Sequence, residues 1–223
     1  MPELLLFQIE LRRFFEEPRN AVILPAALVV PFFSLWPYFS SPLIPAFAAT
    51  LACMEPYYLN MWYLWPGQLE SFALRPISWR RVIAVKNSWA LVVTLMLFWV
   101  FAAITFYFHT GRIAPNDLVN ATMACLVSGV ALSMFGNNYS IVSPRRRIGW
   151  TLTDLAASVL ALLVGGMSLI PVVVLSYLVG SWWEAYGILM VLAAFAWARW
   201  SLPISSTRIA KNIPELWMNA AQS

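Results

Sequence analysis

The 223-residue sequence predicts an all-α polytopic membrane protein, with six transmembrane helices preceded by an N-terminal amphipathic helix in the interface. Three observations predict it. The chain is 61% hydrophobic and only 11% charged, with a mean hydropathy of +0.72, whereas a soluble domain carries about 25% charged residues. Its uncharged runs reach the roughly 20 residues needed to cross a hydrocarbon core of about 30 Å. Thirteen of the fourteen basic residues fall in alternate connections, which leaves Arg112 alone for the opposite side. These features exclude an ordinary soluble enzyme, a disordered chain and a disulfide-stapled secreted module.

The elements follow in order. Over residues 1–20, Leu4, Phe7, Leu11 and Phe14 recur at helical spacing, and Glu3, Glu10 and Glu17 fall on another face. That pattern reads as a helix lying in the interface rather than as a signal peptide. No formal charge appears between Ala21 and Met54, a run too long for one span, so Ser40-Ser41-Pro42 becomes the turn between spans near 21–39 and 43–65. Pro25, Pro31 and Pro37 bend the first of them. A polar loop over 66–81 leads to a third span near 83–108. A second loop, His109 to Asn116, precedes a fourth span near 118–135, and a basic loop occupies 136–150.

The stretch from Leu152 to Trp200 holds two further spans, turned at Gly180-Ser181 beside Trp182, Trp183 and Glu184. The fifth span is either continuous or broken at Gly165-Gly166 or Pro171, with a re-entrant remainder. Thr151 and Asp154 read as its cap. The transmembrane domain thus covers 21–200 and a tail covers 201–223. The basic clusters Arg12, Arg13 and Arg19, then Arg75, Arg80, Arg81 and Lys86, then Arg145 to Arg147, then Arg199, Arg208 and Lys211 all belong on one side. Both termini are therefore expected in the cytoplasm and the number of spans is even, six. The expected location is a bacterial inner (plasma) membrane.

Enzyme signatures are missing. The sequence has no HExxH, no GxSxG and no Gly-Lys pair that a phosphate-binding loop would require. His109 reads as a hydrated interfacial residue. Cys53 and Cys125 sit in apolar runs without metal-ligand spacing, so they read as small core residues and no metal site is expected. Glu55 lies within an apolar span, where a charge costs at least about 2.5 kcal/mol on insertion scales. It either lines a polar translocation path with Asn60 and Asn120, or locks one helix to another through one of those amides.

The loop over 66–81 carries more information. Gln68 to Leu74 can form two helical turns with Leu69, Phe72 and Ala73 on one face. Pro76 ends that helix at Arg75, and Ser78 can cap the next one. A short, part-apolar helix held outside the membrane suits a partner's groove.

The run Glu70-Ser71-Phe72-Ala73-Leu74-Arg75-Pro76-Ile77-Ser78-Trp79-Arg80-Arg81, continuing through Lys86-Asn87, resembles the loop after the second span in exporter-type (type-2) ABC-transporter permease subunits. Val85 departs from the glycine that this family often has there. The stretch Gly136-Asn137-Asn138-Tyr139-Ser140-Ile141-Val142-Ser143-Pro144-Arg145-Arg146 is similar to the one after that family's fourth span. The resemblance implies a permease half that pairs with a second, identical or different, permease half and with two separate ATPase subunits. ATP and Mg would be bound by the ATPase partner and no cofactor by this chain. Carried over by position, Leu69, Glu70, Phe72, Leu74 and Arg75 would contact the ATPase, with Pro76 and Ser78 shaping the hinge into the third span. Asn137, Ser140, Pro144 and Arg145 would form a second cytoplasmic contact. The competing expectations are a non-transporting scaffold or assembly subunit, and a membrane-embedded lipid-modifying enzyme.

Overall fold

The computed structural model describes residues 8, 43–59, 79–108, 114–142, 152–203, 207 and 211. The N-terminal helix, the first span and most of the loop over 66–81 lie outside the described residues. Among those described there is no strand. The helices are α1 (Leu43–Leu59), α2 (Trp79–Phe108), α3 (Pro115–Val142), α4 (Leu152–Met167), α5 (Ile170–Val179) and α6 (Trp182–Ala196), followed by a π-helical turn over Trp197–Ser201. Among the described residues three segments are long and apolar enough to cross a membrane: Trp79–Tyr107, Pro115–Tyr139 and Ala156–Val179. The chain therefore has the helices of an integral membrane protein.

Helix formation follows from apolar composition, and side-chain size decides which helices come close. α1 packs against both α2 and α3. It does so through small residues, since Ala46, Ala49 and Cys53 are buried with Ala102 and Cys125, around Phe98 and Phe101. Small side chains let membrane helices approach closely enough for dispersion contacts to hold them. On α2 the buried positions Ile83, Ala90, Val93 and Phe101, with the partly buried Leu97, mark the bundle face. Val92, Met96, Trp99, Val100 and Tyr107 are exposed on the other face, as a lipid-facing stripe requires.

The contacts set the topology. The carboxyl end of α1, the amino end of α2 and the carboxyl end of α3 meet at one end of the bundle, which we call the near end. There Met54, Tyr58, Val82, Ile83, Trp89 and Leu132 form a cluster that also takes in Ala161 of α4. At the far end, Leu43 packs in the same cluster as Phe98, Phe101 and Leu118. α4 and α5 then run along α3 towards the far end. Gly180, with φ of 72°, and Ser181 turn the chain, and α6 returns to place Trp197 and Leu202 against the near cluster. Cys53 and Cys125 are buried free thiols in the core.

Two helix starts fall where the sequence expects them and one helix end runs past its expected bound. α2 starts at Trp79, directly after the Ser78 expected to cap it. α4 starts at Leu152, directly after Thr151. α3 continues through Val142 and so takes in the first part of the expected basic loop. The fifth crossing is interrupted at Ser168-Leu169, between Gly166 and Pro171.

Candidate functional site

The near end carries an unusual amount of buried polarity for an apolar bundle. Glu55, Lys86, Asn87, Thr94, Ser133 and Asn137 are all buried there. Thr94 donates its hydroxyl to the Ala90 carbonyl at 2.7 Å, which commits its only proton. The Tyr58 hydroxyl, 2.9 Å from Thr94 Oγ1, is therefore the donor of the bond between α1 and α2. Ser133 closes its own hydroxyl onto the Gly129 carbonyl at 2.8 Å.

One turn nearer the end, Asn137 Nδ2 donates to Asn87 Oδ1 at 3.2 Å, with Asn137 fully buried and Asn87 3% exposed. This amide pair joins α3 to α2 beneath Tyr58. Gly136 makes the approach possible. A Cβ built there would fall on the Tyr58 carbonyl, with the carbonyl carbon only 2.9 Å away. The α1 backbone thus rests directly on α3, in a place where no side chain fits.

Lys86 is 1% exposed, two turns into α2. Lysines near membrane-helix ends ordinarily snorkel to water, and its neighbours Arg80 and Arg81 are exposed. Lys86 therefore belongs to the interior of the bundle. The charge asymmetry of the sequence counts it only among the basic residues of the cytoplasmic side.

Other predicted site residues are placed as follows. Glu55 is 8% exposed, one turn before Tyr58 in α1. Asn120 lies near the far end of α3, half-buried, with its Oδ1 enclosed and lacking a hydrogen-bond partner. The sixteen residues from Asn120 to Gly136 span about 24 Å at 1.5 Å per residue. Glu55 and Asn120 therefore do not come together. Ser140 is in α3. Asn60, Leu69, Glu70, Phe72, Leu74, Arg75, Pro76, Ser78, Pro144 and Arg145 lie outside the described residues. No group of three or more His, Cys, Asp or Glu side chains that could hold a metal ion occurs among the described residues.

Sequence reasoning did not foresee the Asn87–Asn137 pair, the Tyr58–Thr94 bond or the burial of Lys86. Asparagines within otherwise apolar helical runs were the available signal, because an amide in a bilayer needs a partner. No family model, curated protein or solved structure matches this chain.

Proposed function

We propose that this chain is the membrane-spanning permease subunit of an ATP-driven exporter, pairing with a second permease half and with two separate ATPase subunits. One observation carries the reading. The two sequence stretches that resemble permease loop motifs, ending in Lys86-Asn87 and beginning at Gly136-Asn137, are far apart in the chain but meet through the 3.2 Å Asn87–Asn137 bond. The helix ends on either side of 60–78 and of 143–151 stand at this same end of the bundle. A push on the first loop would reach α2 at Trp79, and the Asn87–Asn137 bond would carry it to α3. A chain that lacks a nucleotide-binding motif needs such an external source of energy. In this reading Asn137 acts from inside the bundle by positioning the second loop, and Leu69, Glu70, Phe72, Leu74 and Arg75 are the residues that touch the ATPase.

The test is reconstitution with the candidate ATPase subunit in lipid. Phe72→Asp is expected to abolish co-assembly and transport-coupled ATP hydrolysis while leaving the permease folded. A Phe72→Asp chain that still binds and stimulates the ATPase like wild type would overturn the coupling assignment.

A further inference from the structure

The interruption between α4 and α5 has a defined hydrogen-bond pattern. The Leu169 N–H turns to the Gly166 carbonyl at 3.1 Å, in a tight three-residue step, instead of to Gly165. Pro171 has no N–H to offer the Met167 carbonyl. The Gly165 carbonyl, released from the helix, accepts the Ser168 hydroxyl at 2.6 Å and the Ser128 hydroxyl of α3 at 2.8 Å. A carbonyl has two lone pairs, and here both are filled by side chains. Gly165 itself lies against Leu51 and Leu132, while nothing comes within 4 Å of a Cβ built at Gly166. The break is thus packed on one side, open on the other, and held to α3 by one hydroxyl.

A second irregularity lies at the other end of the following hairpin. Over Trp197–Ser201 the helix widens to a π turn, in which the Leu202 N–H reaches back to the Trp197 carbonyl. Trp197 Nε1 and Ser201 Oγ are enclosed there without hydrogen-bond partners. An enclosed polar atom left unmatched costs about 1–3 kcal/mol, so this turn gives up little when it rearranges.

Between these two points α5 and α6 pack on each other and are joined by the left-handed Gly180 and the Ser181 cap. Their seam with α3 centres on the buried Ala124, Val127, Val172, Ala185 and Tyr186, with Met123, Leu169, Leu175, Leu189 and Met190 partly buried around them. We propose that the α5–α6 hairpin is a rigid lever, pivoting at Ser168-Leu169 and at the π turn, with the Ser128 hydroxyl fixing the base of the first pivot, the Gly165 carbonyl at the end of α4, to α3. Displacement of the lever opens the Ala124–Val172 seam to the bilayer, while α1 to α4 stay packed. This device does not depend on the transport reading.

Spin labels at Tyr107→Cys and Leu178→Cys, both exposed, report the position of the lever in the full chain in lipid nanodiscs, with Cys53 and Cys125 replaced by Ala. A control pair at Met96→Cys and Val159→Cys, also exposed, lies wholly on α2 and α4. Pulsed dipolar distances should show a larger displaced population in Ser128→Ala, restored to wild type in Ser128→Thr. The displaced population should be smaller in Pro171→Ala, where the helix regains an N–H. The control distances should stay fixed in every variant. Superimposable distributions across these variants, or a control pair that shifts as far as the lever pair, would overturn the proposal.

Discussion

Gly136 shows how one missing side chain can decide a helix contact. Its α-carbon faces the Tyr58 backbone, and backbone cannot rotate out of the way of an added methyl. Overpacking typically costs about 1–3 kcal/mol, and the upper part of that range applies where the obstacle is a carbonyl group. Gly187 on α6 is the opposite case, since nothing comes within 4 Å of its built Cβ. An exposed helical glycine replaced by alanine gains about 0.5–1 kcal/mol from reduced unfolded-state freedom. Gly136→Ala should therefore lower the unfolding midpoint in detergent clearly, while Gly187→Ala leaves it unchanged or raises it. Equal effects at the two sites would mean that α1 does not rest on α3 as described. The same contact explains why a Gly-Asn-Asn run, which reads as a turn signal in isolation, continues a helix here. Gly136 gives room to Tyr58 and Asn137 finds Asn87, so tertiary packing overrides local propensity.

At the level of elements, the sequence was legible wherever a long apolar run met a polar stop. α2, the start of α3 and the Gly180-Ser181 turn stand where apolar periodicity and turn residues place them. The break in the fifth crossing was marked by Gly165, Gly166 and Pro171, but its closure by Ser128 was not. That bond joins residues 37 positions apart, and no local pattern carries such a pairing. The α5–α6 turn allows two effects to be separated. Gly180 has φ of 72°, a region that costs a residue with a Cβ roughly 1–2 kcal/mol. Ser181 caps α6 only through a long 3.4 Å contact to the exposed Glu184 N–H, so its removal falls at the low end of the cap range, about 0.5 kcal/mol. Gly180→Ala should accordingly destabilise the protein more than Ser181→Ala in thermal unfolding in detergent. The reverse order would contradict a left-handed turn at this position.

For the whole molecule, the decisive property is which end faces the cytoplasm. Arg80 and Arg81 are exposed at the near end, and Arg199 is exposed in the π turn that packs there. The far end of α3 begins instead with Asp117 in its first turn, where a negative charge complements the helix dipole. Basic residues close to membrane helix ends stay on the cytoplasmic side during insertion, so the near end should lie inside. Single cysteines test this in a chain whose Cys53 and Cys125 are replaced by Ala. Asn116→Cys, exposed at the far end, should react with a membrane-impermeant maleimide in intact cells. Arg80→Cys should react only after the membrane is permeabilised. The reverse pattern would place the buried amide pair and both adjoining loops outside, where no ATP-hydrolysing partner could reach them, and the permease assignment would fall with it. The expected pattern instead leaves the polar near end, with its Asn87–Asn137 bond, as the place where force from the cytoplasm would enter the bundle.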